Sequence, residues 1–292
     1  MLFYTQNPLQ FAFSKRGEDD DLVNLDKGSK NFGIIGVPFD STSTYKTGAR
    51  FGPKAVREAS YNFERYNMAL NKTLDVSLFD FGDIEVIQGN FDKTCKMIGT
   101  TVSELLDKNI TPVAIGGEHT ISCAVLKVID AEDITVIHFD AHMDLRDEYM
   151  GEKYSHATAM RRIFDLNPEK IVQIGVRSCS KEELKFAEEN DINYFMSHEV
   201  NEDIKKVENA IKSIEGPLYV SVDMDVLDPA YAPSVCTPST CGLNPFQLES
   251  LIYCLNGKNV VGFDLVEISS TEIGDITSVN GAKTIHDFLC TQ

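Results

Sequence analysis

Ile134-Thr135-Val136-Ile137-His138-Phe139-Asp140-Ala141-His142-Met143-Asp144 is an apolar run that ends in an Asp-x-His-x-Asp pattern. A β-branched run such as Ile134 to Phe139 reads as a strand buried on both faces. Side chains of an extended backbone alternate sides, so Asp140, His142 and Asp144 face the same way. The arrangement recurs twice. Pro112 to Ile115 runs into Gly116-Gly117-Glu118-His119, and Pro217 to Val222 runs into Asp223-Met224-Asp225. In an open parallel sheet, polar residues just past the carboxyl ends of strands face the ligand crevice. Three such strands side by side would bring His119, Asp140, His142, Asp144, Asp223 and Asp225 into one cleft.

A lone Asp after a strand is commonly a helix cap or a turn initiator. Six groups at this spacing need another reason, because four crowded carboxylates raise one another's pKa unless cations neutralise them. Two divalent ions do so. An oxygen-rich donor set with two imidazoles and no thiolate suits Mn²⁺, with Co²⁺, Zn²⁺ or Fe²⁺ as substitutes, and argues against a structural zinc or iron-sulfur site. A metal pair about 3.5–4 Å apart lowers the pKa of a shared water and yields hydroxide at neutral pH. Hydrolysis is the expected chemistry.

Working outward, further strand candidates are Phe32 to Val37, Val76 to Phe81, Ile171 to Val176, Ile192 to Phe195 and Val260 to Val266. Helical spacing lies between them. Pro53 suits a first helical position before Lys54 to Phe63, and Asp92 can cap Lys93 to Asp107. Lys181 to Glu189, Glu202 to Ile214, Pro245 to Leu255 and Thr284 to Leu289 complete the helical candidates. Alternating strands and helices predict an α/β fold, a parallel sheet covered on both faces. With no linker or repeat, and with proposed ligands in both halves, residues 1–292 read as a single domain. Residues 1–30 are less regular and are expected to form an arm or an oligomer contact.

The 292 residues carry 27 Lys+Arg against 45 Asp+Glu, a net charge of -18 that argues against nucleic acid or an anionic membrane as partner. The same charge favours a cationic small molecule. Seven scattered cysteines with no Cys-x-x-Cys pair imply neither a disulfide framework nor a zinc ribbon, so a cytoplasmic location is expected. There is no signal-peptide pattern and no apolar run of membrane-spanning length.

These motifs resemble the ureohydrolases, the arginase and agmatinase family. The likeness covers nearly the whole chain: Gly36-Val37-Pro38-Phe39-Asp40, the stretch Gly48 to Pro53, GGEHT at 116–120, DAHMD at 140–144, SVDMDVLDPAYAP at 221–233 and GFDLVE at 262–267. The resemblance implies a three-layer α/β/α domain with a central, mainly parallel eight-stranded sheet, assembled as a trimer or hexamer. It implies two Mn²⁺ per subunit and hydrolysis of a guanidinium to urea and an amine. By that resemblance His119 and Asp144 bind one ion, His142 and Asp225 the other, Asp140 and Asp223 bridge, and Asp144 also holds the hydroxide. Glu267 matches the acid that accepts the guanidinium, and His156 the histidine that serves the departing amine as acid or proton shuttle. The remaining histidines considered, His198 and His286, are expected at the surface.

The run Leu145-Arg146-Asp147-Glu148-Tyr149 lacks the arrangement of arginine-specific members and resembles agmatinases. Asp147 or Glu148 is therefore a candidate for binding a cationic amine tail by charge complementarity, unless these acids pair with Arg146, Arg161 or Arg162. Agmatine, giving putrescine and urea, is the expected substrate; N1-aminopropylagmatine, guanidinobutyrate and arginine are alternatives. Ser234, Cys236 and Cys241 stand where glycine is common in relatives, Ala157 follows His156 in place of glycine, and Ser269-Ser270 replaces a Pro-containing turn. These departures bear on pocket shape. A single-zinc deacetylase would have no use for His119 and Asp225, and a non-catalytic member would have no need of all six ligands and Glu267.

Overall fold

The computed structural model describes residues 9–17, 25 and 30–292. All eight expected strands form: β2 (Asn31–Val37), β5 (Ser77–Asp83), β6 (Thr111–Gly116), β7 (Thr135–Phe139), β8 (Lys170–Val176), β9 (Asn193–Met196), β10 (Pro217–Asp223) and β11 (Asn259–Val266). A ninth, the two-residue β1 (Lys15–Arg16), pairs parallel with β5 at the edge, so among the described residues the sheet has nine strands, one more than expected. The order is β1-β5-β2-β6-β11-β10-β7-β8-β9, with every pairing parallel. A separate antiparallel pair joins β3 (Tyr66–Asn67) to β4 (Lys72–Thr73).

Residues 9–17 of the expected arm dock on this sheet. Phe11 and Ala12 are buried, and the Phe11 N–H donates to Asp80 Oδ2 at 2.7 Å. The buried Arg57 guanidinium holds the same carboxylate at 2.8 Å, which leaves no charge there uncompensated. The rest of that arm, apart from residues 25 and 30, lies outside the described residues.

Helices cover both faces. On one side lie α1 (Gly52–Ser60), α6 (Ser197–Glu202), α7 (Ile204–Ser213), α8 (Pro245–Tyr253) and α9 (Ile276–Thr291); on the other α2 (Phe91–Asp107), α3 (Ile121–Ile129), α4 (Ala159–Phe164) and α5 (Lys181–Glu189). Strand residues feed the two cores alternately: Ile34 faces the first and Ile35 the second. Because both faces are covered, inner strands have no solvent side, which is why they read as unbroken apolar runs. Sharp ends set the element lengths. Asn90, rather than Asp92, caps α2 by accepting the Lys93 N–H. Ser180 with Glu183 and Asn244 with Gln247 form capping boxes at α5 and α8. Capped by Asp275, α9 starts at Ile276, eight residues before the expected Thr284, and the helix is held by Phe288 stacked on Phe263 at 4.3 Å.

Candidate functional site

β6, β11, β10 and β7 are consecutive neighbours in the middle of the sheet. Just beyond or at their carboxyl ends come His119, Glu267, Asp223 with Asp225, and Asp140 with His142 and Asp144. The structure brings all of these together. His119 Nδ1 lies 3.2 Å from Asp140 Oδ2, 3.2 Å from Asp144 Oδ2 and 3.3 Å from Asp223 Oδ2. His142 Nδ1 lies 3.0 Å from Asp225 Oδ2 and 3.3 Å from Asp140 Oδ1. Asp140 therefore turns one oxygen toward each imidazole.

Local backbone geometry makes this convergence possible. A Cβ on Gly117 would sit 1.9 Å from the Phe39 carbonyl oxygen, so only glycine lets the chain pass there and deliver His119. Asp144 (φ 53) and Glu267 (φ 68) occupy the left-handed region, a conformation that costs roughly 1–2 kcal/mol for a non-glycine residue. Such strain persists where surrounding contacts over-determine it. Here the Asp144 carbonyl accepts the Arg161 N–H at 3.0 Å, and the Glu267 N–H donates to the Gly117 carbonyl at 2.9 Å.

Burial sets the electrostatics. It raises the Asp144 pKa to about 6, with Asp140 adding to the effect, and raises Asp223 well above the carboxylate range with help from Asp225 and Asp140. Burial also acts to lower His119 and His142, but the carboxylates around them prevail, holding His119 well above its usual value and His142 at about 12. For Asp140, burial is outweighed by His138, His119 and His142, and its pKa falls well below normal. Without cations the cluster thus keeps protons on the His119 and His142 imidazoles to offset its acids. His119 Nδ1 is buried, faces three carboxylate oxygens and makes no well-aligned hydrogen bond to any of them. Such an atom among oxygen donors suits a divalent cation.

The tautomer of His119 follows from its other nitrogen. Nε2 lies 2.9 Å from Ser221 Oγ, whose hydroxyl donates to Asp264 Oδ1 at 2.6 Å. Ser221 Oγ therefore accepts the Nε2–H and leaves Nδ1 for a metal. The loop carrying Asp225 is tied down by Arg177, which donates to the carbonyl oxygens of Asp225, Leu227 and Ser239 at 2.6, 3.2 and 2.8 Å.

A cavity of about 190 Å³ opens over the cluster, lined in part by His142, Asp144, Asp223, His156 and Glu267. Glu267 Oε1 accepts the His119 backbone N–H at 2.7 Å, whereas Oε2 is buried with no partner. Burial, then the nearby Glu118, pushes the Glu267 pKa up to about 8 against the opposing pull of its bond to the His119 backbone N–H and of the His119 imidazole. His156 Nδ1 lies 3.1 Å from Thr42 Oγ1, and the Thr42 hydroxyl donates to the buried Glu118 at 3.0 Å. Donation from Nδ1–H to Thr42 leaves Nε2 as the basic nitrogen. Burial, then His142 and His119, lowers the His156 pKa to about 4, so the imidazole is neutral at pH 7 instead of titrating near neutrality.

Other expectations meet different outcomes. Asp147 is exposed, pairs with Arg162 at 2.8 Å and is absent from the cavity lining, because it turns toward α4. Glu183 and Arg146 line that wall, 3.5 Å apart. His198 is exposed, but His286 is buried against the rings of Phe13 and Phe63, since α9 packs on the sheet. Ser234 Oγ donates to Asp275 at 2.7 Å, Cys236 is buried near Glu267, and Ala157 lines the cavity. Cys241 holds φ 63, where glycine would be relaxed. The Ser269 N–H ties this loop to Ser234 O at 2.8 Å.

His138 was not singled out in the sequence, yet it is buried with Nε2 2.9 Å from Asp140 Oδ2. Ser221, Asp264, Thr42, Glu118 and Arg177 were missed likewise. Polar residues two positions before a ligand, as in His138-Phe139-Asp140 and Ser221-Val222-Asp223, are the available signal, because period two places them on the ligand face.

The arginase family model matches residues 30–290. The chain belongs to the arginase family. It is 40% identical over 264 residues to an agmatinase of Bacillus anthracis, covering 88% of this chain and 90% of the relative. It is 35% identical to an N(1)-aminopropylagmatine ureohydrolase of Thermococcus kodakarensis, covering 97% and 94%. The crystal structure of agmatine ureohydrolase of Thermoplasma volcanium matches with a TM-score of 0.82 at 33% identity, covering 92% of each chain. The arginase-family chain is accordingly a ureohydrolase-type enzyme with an α/β fold of that family and a cluster of residues able to hold metal.

Proposed function

We propose that the protein is a Mn²⁺-dependent agmatinase that hydrolyses agmatine to putrescine and urea, acting as one ureohydrolase domain. The observation that carries this reading is the meeting of six metal-type donors beneath a cavity that also holds the unpartnered Glu267 Oε2. His119, Asp140, Asp144 and Asp223 would hold one cation, and His142, Asp225 and the two shared acids, Asp140 and Asp223, the second. When bound, such a pair supplies hydroxide at neutral pH by lowering the pKa of a shared water.

The chain's own residues do the rest. A guanidinium presents parallel N–H donors that Glu267 accepts, which fixes its carbon over the cluster. Asp144, on the cavity floor, orients the nucleophile through a hydrogen bond. Cleavage of the C–N bond requires a proton on the departing amine nitrogen. A neutral His156 can take the proton given up by the attacking oxygen at Nε2 and deliver it to the departing amine nitrogen, which favours a shuttle over a standing acid. An amine tail in this cavity would not meet Asp147, which lies outside its lining. The agmatine assignment is supported by the names of the Bacillus and Thermoplasma relatives, and the Thermococcus relative makes N1-aminopropylagmatine the second reading.

A cytoplasmic trimer or hexamer is part of the same proposal. No helix among the described residues is long and apolar enough to cross a membrane. The test is urea release from agmatine, N1-aminopropylagmatine, guanidinobutyrate and arginine, after chelation and after Mn²⁺ is restored. Urea from agmatine in the Mn²⁺-loaded protein alone is expected; urea from arginine alone would overturn the substrate assignment.

A further inference from the structure

Beneath the ligand tier runs a second polar row. Asp264 of β11, Ser221 of β10, His138 of β7 and Gln173 of β8 are in cross-strand register, each opposite the next. All four are fully buried in the middle of an otherwise apolar sheet. Ser221 and Asp264 serve His119, as described above. The other half of the row has an equally defined bonding order. Gln173 Nε2 lies 2.7 Å from the Met143 carbonyl oxygen, which only an amide nitrogen can face, and the same nitrogen lies 3.0 Å from His138 Nδ1. Nδ1 is therefore an acceptor. The ring proton sits on Nε2 and points at Asp140 Oδ2, 2.9 Å away.

We infer that His138, held in one tautomer by Gln173, is a positioning residue for the bridging carboxylate of Asp140 and not itself a metal ligand, although its ring nitrogen lies within reach of the cluster. Asp140 must offer an oxygen to each subsite at once. Its Oδ1 is steadied by the His142 backbone N–H at 2.5 Å, and its Oδ2 by the His138 ring. The two bonds leave the carboxylate one orientation. His138 reaches Asp140 because the two are separated by two residues along β7, on the same side of the strand. Gln173 reaches His138 because β8 is paired to β7 at that register position, and its second amide proton secures Met143, inside the Asp-x-His-x-Asp turn. Hydrogen bonds from outside the coordination sphere typically alter metal affinity 10- to 100-fold.

This inference rests on the two-cation reading, so its test uses structure and binding in place of turnover. Nitrogen-15 NMR of metal-free protein with labelled histidine reads the tautomer directly. A protonated Nε2 with bare Nδ1 at His138 is expected, and the reverse overturns the proposal even if no cation ever binds. In Zn²⁺-loaded protein the Nε2 proton is expected to persist; its loss with a metal-induced shift makes His138 a ligand and overturns the proposal. Mn²⁺ titration of His138→Phe is expected to show 10- to 100-fold weaker binding, with His138→Gln, which restores an N–H at the Nε2 position, recovering most of it. Wild-type affinity in the Phe variant, or equal loss in both, would contradict the role.

Discussion

Replacing Glu267 by Gln separates substrate recognition from metal binding. The amide oxygen can still accept the His119 N–H now bonded to Oε1 at 2.7 Å, so the backbone that delivers His119 keeps its anchor. The unpartnered Oε2 becomes an NH₂ that faces the guanidinium donor to donor. Losing one partner of a buried, hydrogen-bonded charge pair costs about 2–5 kcal/mol. At a factor of ten per about 1.36 kcal/mol, kcat/KM for agmatine should fall roughly 30- to 5,000-fold while Mn²⁺ content stays unchanged. Stability moves the opposite way. Burial pushes the Glu267 pKa up to about 8, above its unfolded value of about 4.3. Between those two pH values the folded state keeps a proton that the unfolded chain releases, so wild-type stability falls as pH rises through that window. The metal-free Gln variant lacks this loss. Urea denaturation of both metal-free proteins should coincide near pH 4 and diverge by pH 8.5 in favour of the variant, by on the order of 5 kcal/mol at most. Turnover within threefold of wild type, or a variant less stable at pH 8.5, would refute the placement of Glu267.

Other perturbations probe the remaining groups. His156→Asn should lower kcat about 10²- to 10⁴-fold with little effect on metal content, and proton NMR of His156 in the wild type should show a neutral ring from pH 5 to 9; a midpoint near 6.5 would contradict the burial seen here. Protons compete with cations for Asp144, whose pKa is raised to about 6, so Mn²⁺ affinity measured by titration should drop as pH falls through that value and be restored on its return. His119→Ala should weaken one metal site and reduce urea release while circular dichroism shows an intact fold; full turnover after metal loading would exclude His119 as a ligand. Asp147→Ala removes an ion pair between an exposed carboxylate and the buried Arg162 guanidinium, outside the cavity lining, so kcat/KM for agmatine should change less than twofold.

The ligand-bearing strands were legible because apolar runs lead directly into Asp-x-His-x-Asp, Asp-x-Asp and Gly-Gly-Glu-His, and in the two aspartate patterns period two puts the donors on one side. What lay hidden depends on register and packing. His138 sits inside an apolar run, and its partner Gln173 lies 35 positions away, joined only by strand pairing. Helix α3 is short and apolar except at Ser122 and Lys127, and so brief an apolar run does not by itself distinguish a helix from a strand. The early turns of α9 carry Thr277 and Ser278, which are buried despite their polarity, and so the helix reads as starting too late. A two-residue strand such as β1 has no period to detect. Asp147 shows the limit of charge reasoning, since spacing in a loop cannot tell a substrate contact from an ion pair with Arg162.

Everything asserted about catalysis depends on two cations meeting between His119 and His142. Crystals grown with excess Mn²⁺ and measured at its absorption edge would locate them by anomalous scattering. Two peaks about 3.5–4 Å apart, with Asp140 touching both, are the expected result. A single peak, or ions held away from these six side chains, would contradict the account.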